Sequence, residues 1–275
     1  MPDATWSVNS PQTLDLDGVT SLKLGMVRGR FDVVRHAEPV ARVEISDVHG
    51  DPVAVSLNGG RLEIRHQLHG AHGWFKNLME SVNHNSDNSA TISIALPEGV
   101  EVEAGTVSGD GLVSGISSHV RLNTVSGSVM ADGTSGELQV NTVSGEVNVR
   151  NHTGVLTAKS VSGEVTASGY FTNVRTNTVS GNLSFDLLGF THDFGSNSVS
   201  GDLTIRVPHD VGVDIVAKSA SGAVVIDDQQ CFLTNGKVET IAGPDGQLML
   251  VRTNSVSGRT AIFHSPSSDG GNAGH

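Results

Sequence analysis

Residues 120–131 read Val-Arg-Leu-Asn-Thr-Val-Ser-Gly-Ser-Val-Met-Ala, and residues 138–149 read Leu-Gln-Val-Asn-Thr-Val-Ser-Gly-Glu-Val-Asn-Val. Both carry Asn-Thr-Val-Ser-Gly between runs whose apolar residues alternate. The glycine recurs every 18 residues at Gly109, Gly127, Gly145, Gly163 and Gly181, then at looser spacing at Gly201, Gly222 and Gly258. Such a period marks a solenoid, in which each repeat is one coil resting on its neighbours.

Aligned on the glycine, the coils separate into chemical columns. Four residues before it stand Asn123, Asn141, Lys159, Asn177, Asn197, Lys218 and Asn254. Three before it, every residue is hydroxylated, from Thr124 and Thr142 to Ser219 and Ser255. Alternating apolar pairs follow the glycine (Val147 and Val149, Leu203 and Ile205) and precede the motif (Val120 and Leu122, Leu138 and Val140). Period-two alternation means strands with one buried face, so each coil holds two strands joined at a Val-Ser-Gly corner. Gly133-Thr134-Ser135-Gly136 and its counterparts close the coil. Glycine suits a corner that needs positive φ, the asparagines are placed to form an amide ladder, and the hydroxyls to satisfy backbone groups. A left-handed hexapeptide helix also uses 18 residues per coil. It needs an apolar residue every six positions, whereas here the inward residues cluster in two runs. The expected fold is all-β: a single-stranded right-handed parallel β-helix, its hand following the general preference of parallel crossovers.

Around this array the chain divides into three expected parts. Residues 1–104 lack the repeat but read as strands separated by turns such as Asn58-Gly59-Gly60, and are expected to pack on the first coils and cover their edges. Residues 105–264 form the solenoid. Residues 265–275, rich in Ser, Gly and Asn, read as a disordered tail. A helical stripe interrupts the first part near 73–83: Trp74, Phe75, Leu78, Met79 and Val82 share a helix face. It reads as a cap over the apolar end, as a contact for a protein partner or a second copy, or as a membrane-surface insertion, which the short stripe and the lone basic Lys76 disfavour.

The Leu-Pro-Glu-Gly-Val boundary at 96–100, the serial Val-Ser-Gly and the closing Gly-Gln-Leu-Met-Leu-Val-Arg-Thr-Asn-Ser-Val-Ser-Gly at 246–258 resemble a bacterial β-strand-repeat family of unknown function labelled "putative adhesin". The resemblance spans roughly Ser21 to His264. It implies a β-helix and no established activity, and family members commonly carry a membrane anchor.

Composition narrows the function classes. The formal charge of -12 argues against nucleic acid and anionic membranes, which attract basic surfaces. The single Cys231 allows no intramolecular disulfide, and neither a signal peptide nor a transmembrane run is legible, so a cytoplasmic location is the default expectation. His66, His69 and His72, with His84 nearby, are close enough in sequence to suggest a metal, but Gly70 and Gly73 disfavour a helix and no zinc spacing matches, so a polar loop is expected. Glu146 and Glu164 share a column, which stacking alone explains. The Ser126, Ser144, Ser162, Ser180 and Ser200 column has no histidine in register and reads as turn chemistry, not as nucleophiles. No catalytic, cofactor or metal residues are assigned. The expectation is a non-enzymatic, adhesin-like scaffold presenting polar columns to a protein partner. The alternative is a carbohydrate-binding or carbohydrate-cleaving β-helix, disfavoured because Tyr170 and Phe171 are almost the only rings in the regular coils.

Overall fold

The computed structural model describes residues 4–66 and 88–266. The stripe at Trp74, Phe75, Leu78, Met79 and Val82, together with His69, His72 and His84, lies outside them. Among the described residues every regular element is a strand, and the chain divides into two compact units, Met1–Asn148 and Val149–His275.

In the first unit the Val-Ser-Gly coils stack as their period requires. The strands before the corner, β9 (Glu101–Thr106), β11 (Val120–Thr124) and β13 (Ser135–Thr142), pair in parallel, with Val102 beside Val120 and Val120 beside Leu138. Those after it, β10 (Asp110–Ser114) and β12 (Val129–Asp132), pair likewise. The inward residues Val102, Ala104, Val120, Leu122, Leu138 and Val140 are almost fully buried. Each of the larger ones contributes on the order of 1.5–3 kcal/mol on burial.

The repeat's chemistry fades before residue 104, but its geometry continues. β3 (Ser21–Met26) and β4 (Arg28–Arg35) form a further coil, with Leu22 beside Val102 and Phe31 beside Gly111. Its corner, Val27-Arg28-Gly29, lies under Val107-Ser108-Gly109: the Val107 N–H donates to Met26 O (3.1 Å) and the Ser108 N–H to Val27 O (2.9 Å). A Cβ at Gly111 would stand 2.1 Å from Phe31 Cζ, so the missing side chain makes room for a fully buried ring.

On its other side this coil pairs in parallel with β7 (Arg61–His66) and β8 (Ser89–Leu96). Antiparallel strands finish the stack: β6 (Val53–Asn58) on β7, β5 (Ala41–His49) on β8, then β1 (Ala4–Val8) on β6 and β2 (Gln12–Leu16) on β5. Pairing is thus mixed, parallel between coils and antiparallel at the end. Chain order is broken as well, since β3/β4 lies between β7/β8 and β9/β10.

The second unit contains β14 (Val147–Ser160) from Val149 onward and breaks chain order too. β15 (Val165–Thr178) pairs in parallel with β16 (Leu183–Leu187) and β17 (Asp193–Ser198), and β16 with β18 (Leu203–Val207). The next neighbours of β17 and β18 are β23 (Leu248–Ser255) and β24 (Arg259–His264), the last of the described strands. Beyond these come β19 (Gly212–Ser219) and β20 (Ala223–Ile226), covered by antiparallel β22 (Lys237–Ala242) and β21 (Gln229–Cys231). Successive coils were expected to stack in the order of the chain, and here they do not. The amide ladder follows the spatial order and not the chain order. Asn254 continues the amide ladder from Asn197, whereas β19 has Lys218 at that position and bonds instead to the other side of β23. Just past β24, the Ser265 N–H still donates to Val207 O (2.8 Å).

Candidate functional site

Within each coil the hydroxyl column closes the corner on itself. Thr124, Thr142 and Ser160 donate to the carbonyls of Gly127, Gly145 and Gly163 at 3.0, 2.8 and 2.6 Å. The N–H groups of Gly109, Gly181 and Gly222 donate to Thr106, Thr178 and Ser219. Between coils the serine of Val-Ser-Gly does the bonding. Ser126 donates to Val107 O, Ser144 to Val125 O, Ser180 to Val161 O, Ser200 to Val179 O and Ser221 to Val256 O, at 3.1–3.4 Å. These hydroxyls are structural donors, as turn chemistry requires.

Positive φ, one of the expected reasons for the corner glycine, applies at only some of the corners. Gly201 and Gly258 do adopt positive φ (112° and 118°), but Gly109, Gly127, Gly145, Gly181 and Gly222 do not. Close approach governs them all. A Cβ would meet the carbonyl oxygen of the neighbouring corner glycine at 1.8 Å for Gly127, 2.2 Å for Gly145, 2.1 Å for Gly181 and 2.2 Å for Gly222.

Outside the core, the columns become surface ladders. Asn141 donates to Asn123 (2.8 Å) in the first unit; Asn197 donates to Asn177 (3.2 Å) and Asn254 to Asn197 (2.9 Å) in the second. Beside the second ladder, Asp193 accepts from Arg252 (2.9 Å) and Arg175 (3.5 Å), holding three coils together through exposed guanidinium groups. In the first unit Lys23 pairs with Glu103 (3.6 Å), and Arg121 donates to Gln139 (3.0 Å). A polar depression of about 210 Å³ opens there among Arg61, Lys23, Glu101, Glu103, His119 and Arg121. A wider cleft of about 490 Å³ lies among Arg35, His36, Glu38, Pro39, Pro97 and Glu98. The valines of the motif form a third column in the second unit. Val161, Val179, Val199 and Val256 are 47–54% exposed, an apolar stripe along the corners.

The remaining candidates separate. His66 is fully buried, its Nε2 bonded to Asp51 O (2.7 Å), and its Nδ1 has no partner among the described residues. Burial lowers its pKa from the usual 6.5, although the Asp51 carbonyl and carboxylate oppose the shift. Among the described residues no group of three His, Cys, Asp or Glu is placed to hold an ion. Glu146 and Glu164 are exposed, and Cys231 is half-buried. Phe171 is buried against His152 (ring centroids 5.8 Å apart), which leaves Tyr170, 57% exposed, as the ring facing outward.

Two clusters carry no signal in the sequence. One is the Asp193 bridge, whose partners lie on separate coils. The other is at His264, whose Nδ1 meets Asp227 Oδ2 (2.7 Å) and whose Nε2 meets Val211 O (3.0 Å). In both, the partners are brought together only by the stacking order. Among the described residues no helix is long and apolar enough to cross a membrane.

The family model described as Toastrack DUF4097 matches residues 40–255, so the chain belongs to that family, a domain of unknown function. No curated protein matches it. Among solved structures it is similar to a "putative lipid binding protein" from Parabacteroides distasonis ATCC 8503, at 15% identity over 94% of this chain and 98% of that one, TM-score 0.54. That likeness supports the fold. A "putative cell adhesion protein" from Clostridium sporogenes ATCC 15579 is 16% identical over 93% of this chain and 100% of that one, with a TM-score of 0.30.

Proposed function

We propose that this member of the Toastrack DUF4097 family is a non-enzymatic binding scaffold, wound as a right-handed single-stranded β-helix apart from its antiparallel ends. Its outward polar columns serve an extended protein partner. The observation that carries the reading is the in-register amide ladder Asn177–Asn197–Asn254 beside Arg175, Asp193 and Arg252. Hydrogen-bonding groups repeated at the strand spacing of about 4.8 Å match a partner whose own groups repeat at that distance. Interlocked side chains lose little further freedom on binding, which lowers the entropic cost of association.

Affinity capture from native lysate tests this, comparing the wild type with Arg175→Glu/Arg252→Glu and with Trp74→Ser/Leu78→Ser. Loss of the same proteins by the first variant supports the ladder face, and loss by the second assigns the contact to the 73–82 segment. If both variants capture what the wild type captures, neither surface is the contact.

A second reading draws on the exposed valines Val161, Val179, Val199 and Val256, an apolar strip suited to a lipid chain. The name of the Parabacteroides protein points to the same ligand class. Co-sedimentation with phosphatidylcholine vesicles, with and without Val179→Ser/Val199→Ser, separates the two readings. A carbohydrate ligand would use an exposed ring such as Tyr170 or Phe232 as its platform, and a glycan array decides that case.

A further inference from the structure

The coil made by β23 and β24 is the last among the described strands, yet it is bonded on both sides. β23 pairs with β17 and with β19, and β24 pairs with β18 and with β20. Both neighbouring coils are complete in the chain before it. In the folded unit it fills a slot one strand wide in each sheet, about 9.6 Å across at two strand spacings, and without it the facing edges of β17/β18 and β19/β20 would carry unpaired N–H and C=O groups.

The slot is specific for its occupant. Met249, Val251 and Ile262 are completely buried in it. Gly258 stacks between Gly201 and Gly222, where a Cβ would lie 2.4 Å from the Gly201 carbonyl oxygen. Asp202 accepts the Arg259 N–H at 2.8 Å. His264 closes the end: its backbone N–H and its Nδ1 both reach the Asp227 carboxylate, and its Nε2 reaches the Val211 carbonyl.

None of these contacts requires the coil to come from the same molecule. Its covalent tie is the exposed linker at 243–247, which includes Gly243, Pro244 and Gly246 and spans about 17 Å when extended. An element that supplies the missing strand to both neighbours, on a short Pro/Gly linker, is the arrangement that permits exchange between identical chains. We infer that the partner for this slot is a second copy of the chain: two molecules trade residues 248–264 reciprocally and form a closed dimer. The inference is independent of the ladder reading, since it needs no outward-facing side chain.

The test is refolding of the full chain from urea over a range of concentrations, followed by light scattering on a sizing column. Exchange gives a species of double the 28.6 kDa mass whose fraction rises with refolding concentration and persists after dilution. Deleting Pro244–Gly246 raises the dimer fraction, because the coil can no longer turn back into its own slot, and inserting six Gly/Ser residues after Gly246 lowers it. A labelled peptide of residues 247–266, present while the unaltered full chain refolds, co-elutes with it, whereas the peptide carrying Gly258→Val does not. Purely monomeric refolding at every concentration, with no peptide uptake, overturns the inference. So does a dimer that dissociates on dilution and ignores linker length, which is a surface contact.

Discussion

Replacing Gly127 by alanine isolates the cost of the corner's close approach. Gly127 does not have positive φ, so the backbone itself tolerates alanine, and the obstacle is the Gly109 carbonyl oxygen 1.8 Å from the new Cβ. Such contacts essentially never fall below 3.0 Å, so the coils must part locally by about 1.2 Å, a quarter of the strand spacing. The corner bonds Val125 N–H to Thr106 O (3.2 Å) and Ser126 N–H to Val107 O (2.9 Å) do not survive such a displacement. Overpacking of about 1–3 kcal/mol and two lost bonds at about 0.5–1.5 kcal/mol each give a destabilisation of roughly 2–6 kcal/mol.

Gly195 supplies the control. A Cβ added there meets nothing nearer than Val174 O at 4.0 Å, and its φ is not positive. Gly195→Ala is expected to be neutral or stabilising by about 0.4–1 kcal/mol through the unfolded chain. Urea unfolding followed by far-UV circular dichroism measures both. Should Gly127→Ala unfold at the same midpoint as Gly195→Ala, close approach is not what keeps the corner glycine.

Asn197→Ala removes the middle of the three-amide ladder and is expected to cost about 1 kcal/mol, since both lost bonds are exposed; the urea midpoint reads it. Ser126→Ala loses a single bond between coils, to Val107 O, and should cost about 0.5–1 kcal/mol in the same assay. His66 gives a pH dependence of definite sign. Its pKa is lowered in the folded state, so the unfolded chain binds the proton more readily, and the stability present above about pH 6.5 declines as the pH falls toward the folded pKa. Wild-type midpoints between pH 8 and 5 should therefore drop more steeply than those of His66→Gln, and parallel curves would refute a buried neutral imidazole.

Much of the coil was legible because its bonds are short-range or periodic. Thr142 to Gly145 spans three residues, and Asn123 to Asn141 spans one period, so both appear as columns in the sequence. The β3/β4 coil was harder to see. Its alternation at Leu22, Leu24, Phe31 and Val33 is plain, but Val27-Arg28-Gly29 has lost the serine and the hydroxyl that mark a corner. The Asp193 bridge and the His264 contacts were not legible at all, since Arg252 lies 59 residues from Asp193 and His264 lies 37 from Asp227.

The sequence by itself determined the unit of this protein: two half-buried strands, a glycine corner and columns of amides and hydroxyls. Only the tertiary structure decided the order in which those units pile up, placing β3/β4 and β23/β24 out of turn within their respective units. The physical reason is that a coil's edge offers the same backbone pattern to every other coil. Local chemistry therefore specifies what can stack, while the choice among equivalent edges rests on long-range complementarity, such as Asn254 on Asn197 and Gly258 against Gly201.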